Sequence, residues 1–100
     1  MSAETPPLSA SQLDDIASLF KMLGEPMRLK ILQAVCNHPR SVTEIVELAN
    51  STQANVSKHL SLLTNSGILK RERDGQRIFY SIKAPLVLKV CDLVRANWLN

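Results

Sequence analysis

The run Thr52-Gln53-Ala54-Asn55-Val56-Ser57-Lys58-His59 concentrates side chains that can read a nucleic acid. Val56, Leu60 and Leu63 fall at helical spacing, so one face of this segment turns towards a core. The opposite face keeps amide, hydroxyl, methyl and cationic groups. Base edges in a DNA major groove bind such groups: Gln and Asn pair bidentately with adenine, and an Ala methyl meets a thymine methyl. Thr52, Gln53, Ala54, Asn55, Ser57, Lys58 and His59 are therefore the candidate DNA-contacting residues of this helix. Its N-terminus adds free backbone N–H groups that favour a phosphate.

A basic hairpin follows directly. Gly67 is a natural left-handed helix terminator. Residues 68–73 and 76–82 then read as antiparallel strands about a two-residue Asp74-Gly75 turn. Arg71, Arg73 and Arg77 stud these strands and complete the DNA-contacting set. The net charge of +3 is concentrated here. Residues 67–83 hold five Lys/Arg against two Asp/Glu, whereas residues 1–66 hold five against six. A cationic ribbon beside a polar helix calls for a polyanion, reached through its backbone or minor groove.

The elements that must position these groups are legible from caps and breakers. Residues 1–8 are polar and proline-containing and read as a flexible N-terminal arm; residues 9–100 form one domain. Ser9 and Gln12 stand at capping-box spacing and open a helix carrying Leu13, Ile16, Ala17, Phe20 and Leu23, which Gly24 ends. Pro26 opens a second helix, apolar nearly all round, and Asn37-His38-Pro39 closes it. Ser41 and Glu44 cap a short third helix, and Asn50-Ser51-Thr52 turns into the polar-faced fourth. Pro85 starts a last helix with Val87, Val90, Cys91, Val94 and Trp98 along one stripe. The expected fold is mostly α with a small β-hairpin, a winged helix-turn-helix in the order ααααββα.

Arg28-Leu29-Lys30-Ile31-Leu32, then the T-Q-x-x-V-S-K-H-L-x-x-L-x-x-x-G-I-L pattern from Thr52 to Leu69, then R-x-F-Y-S-I from Arg77, resemble the ArsR/SmtB family of bacterial repressors. The resemblance runs from about Leu13 to Trp98. It implies a homodimer built mainly from the first and last helices, bound to an inverted repeat of double-stranded DNA and released when an inducer or oxidant is sensed. On that reading Leu13, Ile16, Phe20, Val87, Val90, Cys91, Val94 and Trp98 form the dimer interface.

The chain departs from the family's sensing sites. Metal-sensing members often carry Cys-x-Cys in the third helix, where this chain has Ser41-Val42-Thr43-Glu44-Ile45. Others place Asp and His pairs on the last helix; here Ala84, Leu86, Asn97 and Asn100 stand in that region. Persulfide-sensing members would place their thiols near Gln33 and beyond Trp98, where this chain has none. No metal and no cofactor are expected. The inducer stays unknown, and Cys36 and Cys91 are the possible redox residues, either core packing or thiol sensors.

Composition limits the other classes. Two cysteines in apolar helical surroundings read as reduced, buried thiols rather than a disulfide scaffold. No apolar run reaches bilayer length and no basic-then-apolar leader precedes the domain, so a cytoplasmic protein without membrane contact is expected. An enzyme would need a nucleophile–base pair or a phosphate-cradling Gly loop, and neither is visible. The remaining rival is a winged helix that binds protein instead of DNA, for which the polar helix and arginine wing are a poor surface.

Overall fold

Side-chain caps fix where the helices begin. In the computed structural model, which describes residues 4–99, helix α1 spans Ala10–Leu23 and helix α2 spans Pro26–Val35. Ser9 Oγ accepts from the Gln12 N–H at 3.1 Å, and Gln12 Oε1 accepts from the Ser9 N–H at 2.9 Å. The same reciprocal pair joins Ser41 and Glu44 at the start of α3, Val42–Ala49. Thr52 Oγ1 accepts from the Asn55 N–H at 3.1 Å and opens α4, Gln53–Asn65. Each such cap stabilises its helix by about 1 kcal/mol. Residues 4–9 precede α1 without regular structure, and residues 1–3 of the expected arm lie outside the described residues, as does Asn100.

Between α3 and α4 the chain turns through Asn50, the one described non-glycine residue at positive φ, at 52°. At the far end of α4 the Gly67 N–H bonds the Thr64 carbonyl and the Ile68 N–H bonds the Leu63 carbonyl. With Gly67 at φ 84° this is a Schellman stop, and it delivers the chain directly into the wing.

The wing holds two corrections to the sequence reading. Strands β2 (Leu69–Asp74) and β3 (Arg77–Ile82) pair antiparallel with Asp74 opposite Arg77, so the turn is Gly75-Gln76, one residue later than expected. Only Gly75 takes a positive φ, 65°, and Asp74 stays extended within its strand. A turn centred on Asp-Gly would need positive φ at both residues; here glycine alone takes that conformation. A third strand was not foreseen. Strand β1, Arg40–Ser41, pairs antiparallel with β3 through Arg40–Tyr80 and Ser41–Phe79, giving a sheet ordered β1-β3-β2. The element order is therefore ααβααββα, with α5 spanning Leu86–Asn97.

Ile31, Val35, Ile45, Val56, Leu60, Leu63 and Leu69 form one core shared by α2, α3, α4 and the base of the wing. Helices α1 and α5 join it only in part. The Cα radius of gyration is 15.6 Å, against about 13 Å for a compact chain of this length. Within α1 only Leu23 is buried, and Phe20 is 56% exposed. Along α5 to its C-cap residue the gradient is steep: Val87 is 0% exposed and Trp98 is 81% exposed. Val87 thus belongs to the monomer core and has no surface left to offer a partner, which removes it from the expected interface. Leu13, Ile16, Phe20, Cys91, Val94 and Trp98 are exposed, and Val90 is half-buried. No helix among the described residues is long and apolar enough to cross a membrane.

Candidate nucleic-acid interface

Helix α4 sorts its side chains by function. Val56, Leu60 and Leu63 anchor it in the core, and Thr52, Gln53, Ala54 and Lys58 are exposed on the opposite side. Ser57 is half-buried. Asn55 is also half-buried, and its Nδ2 donates to Ser51 Oγ at 3.1 Å. Its amide therefore braces the α3–α4 turn from inside the helix start, which leaves Gln53 as the freer amide.

His59 departs from the expectation. It is 7% exposed and faces inward, so it offers no edge to a base. Its Nδ1 lies 3.4 Å from an Arg28 guanidinium nitrogen and its Nε2 lies 3.6 Å from Glu25 Oε2. Burial pushes the imidazole below the ordinary histidine value. Glu25 opposes that shift, and Lys58 and Arg28 add to it. The signal was present in the sequence: positions 56, 59, 60 and 63 follow the i, i+3, i+4, i+7 rule of a buried stripe. Arg28 and Glu25, which hold the ring, carried no such pattern and were missed.

In the wing, Arg71, Arg73 and Arg77 are all exposed, but the pleat divides them. Arg71 lies opposite Tyr80 and Arg73 opposite Ile78, so these two share one face of the ribbon. Arg77 lies on the other face, its guanidinium carbon 5.1 Å from the Phe79 ring centroid. It borders a shallow depression shared with Ser41, Val42 and Thr43 at the start of α3. The wing can thus present cations on both sides.

The two thiols are more open than expected. Cys36 is half-buried and Cys91 exposed, because α5 leaves the core after its first turns. Both line one groove of about 560 Å³ between α2 and α5, with Leu29, Leu32, Leu88 and Leu99. Among the described residues, no group of three or more His, Cys, Asp or Glu is placed to hold a metal ion.

Known proteins with this pattern are regulators of transcription. Residues 25–71 match the family described as bacterial regulatory protein, arsR family. The chain is 41% identical to a probable mercury resistance operon repressor of Streptomyces lividans over 81% of its length, and spans 62% of that relative. It is 39% identical to the transcriptional repressor PagR of Bacillus anthracis, covering 82% of this chain and 83% of the relative. Among solved structures it resembles the homodimeric winged helix-turn-helix DNA-binding domain of a possible ArsR-family regulator from Mycobacterium bovis. That match has a TM-score of 0.77 at 27% identity, over 95% of this chain and 88% of the other.

Proposed function

The chain belongs to the arsR family of bacterial regulatory proteins, and from that premise we propose that it represses transcription as a homodimer seated on an inverted-repeat operator. It is a DNA-binding transcriptional regulator with a winged helix-turn-helix fold. The observation that carries the operator reading is the pairing of surfaces on one rigid core. The exposed Thr52–Lys58 side of α4 stands next to a wing bearing Arg71, Arg73 and Arg77.

Gln53, Ala54, Ser57 and Lys58 enter the major groove in this account, and the wing arginines grip the flanking backbone. Two copies meet through Leu13, Ile16, Phe20, Val90, Cys91, Val94 and Trp98, which places a second recognition helix in symmetrical position. DNA as the partner puts the protein in the cytoplasm. Cys36 and Cys91, at the α2–α5 groove, are where a thiol-reactive input would enter.

The test is selection of bound duplexes from a random pool. Enriched sequences should be pseudo-palindromes whose half-sites lie about 34 Å apart, one helical turn. Recovery of sequences no different from the starting pool would refute the reading.

A further inference from the structure

We propose that Glu25, Arg28 and His59 are positioning residues that lock the recognition helix α4 to the end of α1, with the neutral imidazole as the DNA-binding state. This rests on the operator reading above and names a control within it. The three side chains come from two elements and bind a third. Arg28 Nε donates to the Met22 carbonyl at 2.8 Å and an Nη donates to the Lys21 carbonyl at 3.5 Å, closing the last turn of α1. Its other Nη lies 3.4 Å from His59 Nδ1. Glu25 Oε2 accepts from the Arg28 N–H at 3.1 Å, capping α2, and the same oxygen faces His59 Nε2 at 3.6 Å.

The donor inventory fixes the ring's state. A guanidinium has donors only, so Nδ1 must accept, and the single proton of the neutral ring sits at Nε2, towards the carboxylate. Protonation places an N–H on Nδ1 against the Arg28 N–H. That bond is then lost, and a second positive charge appears beside Arg28, with Lys58 on the ring's own helix adding to it. Among the described residues, Glu25 is the one facing group that favours the imidazolium. His59 lies between Lys58 and Leu60, inside the helix whose outer face carries Gln53 and Lys58, so displacing the ring moves that face relative to α1. Because α1 belongs to the proposed dimer contact, the displacement changes the relation of the two recognition helices. Desolvation pushes the imidazole below its ordinary value, in keeping with this arrangement.

The experiment measures affinity for a duplex recovered by selection at pH 7.5, at fixed ionic strength, from pH 8 to pH 5.5, with thermal unfolding recorded at each pH. Wild-type affinity should fall by about tenfold in acid, the size of one charge-assisted hydrogen bond, while the protein stays folded. His59→Asn, which keeps an acceptor near Nδ1 and cannot ionise, should flatten the profile. His38→Asn, in the exposed loop where His38 Nδ1 donates to the Pro39 carbonyl, should leave it unchanged. Glu25→Gln removes the group that stabilises the imidazolium and should move the fall to lower pH, which gives a second reading if His59→Asn does not fold. A flat wild-type profile, an equal slope in His59→Asn, or a fall that merely tracks unfolding overturns the proposal. Tighter binding in acid also overturns it, and would make His59 a phosphate-contacting cation. A pool with no enriched duplex refutes the operator reading itself, whereas an enriched duplex with a flat profile refutes only this inference.

Discussion

Helix α4 and helix α5 both leave side chains uncovered, and the two sets are of opposite kind. The exposed side of α4 offers Gln53, Ala54 and Lys58 beside a cationic wing, while α5 and the two residues after it offer Leu93, Val94, Trp98 and Leu99. Water satisfies the first set without cost, so its form reflects what it binds rather than what holds the monomer together. Water does not satisfy the second, and an apolar patch of this sort marks an association surface. One chain thus carries a polar face suited to a polyanion and apolar side chains, on α5 and at Leu13, Ile16 and Phe20 on α1, suited to a copy of itself. Separating the two faces by mutation shows whether they do separate work.

The largest effect should come from the apolar face. Trp98→Ala and Phe20→Ala each remove a large side chain from the proposed dimer interface, and such truncations at a packed apolar site cost about 2–5 kcal/mol. Sedimentation should show a shift towards monomer, and binding to the selected duplex should weaken although no DNA-facing residue has changed. A monomeric wild type at micromolar concentration would break the comparison at this point.

Changes on the polar face should be smaller and of two sorts. Gln53→Ala should cost about 1–3 kcal/mol on the selected duplex and little on unrelated DNA, as expected for a base contact. Arg73→Ala should weaken all sequences alike and lower the salt slope by about one, as expected for a phosphate contact. Equal loss on every duplex in Gln53→Ala would move that residue to the backbone class. The smallest shift is expected at the thiols. The check is the DNA affinity of wild type, Cys36→Ser and Cys91→Ser before and after peroxide or polysulfide, with the modified thiol identified by mass spectrometry. Unchanged wild-type affinity with both thiols unmodified by mass spectrometry would leave them as packing.

The parts of this molecule legible in the sequence were those fixed by local chemistry. Ser9–Gln12, Ser41–Glu44 and Gly67 announce helix ends through their own hydrogen bonds, and each acts where the spacing placed it. What escaped was set by contacts between distant residues. A two-residue strand at Arg40–Ser41 has no periodicity of its own and exists because β3 offers an edge. The wing register depends on which residue must take positive φ, and glycine settled it one position later than the Asp-Gly pair implied. His59 was read by its chemistry as a DNA contact, although its spacing already placed it with the buried stripe. Its partners come from a helix more than thirty positions away in the chain. Burial likewise separates Val87 from Trp98 on what looked like one continuous stripe, because α5 leaves the core partway along.

The most direct measurement is the affinity of the wild-type protein for the selected inverted repeat and for a scrambled duplex of equal composition, across a range of salt concentrations. The account predicts that both affinities fall linearly on logarithmic axes, since phosphate contacts release counterions. The selected duplex should stay tighter by about a thousandfold or more, the margin that base contacts from two recognition helices supply. Equal affinity for the two duplexes at every salt concentration, or binding that salt does not affect, would contradict it.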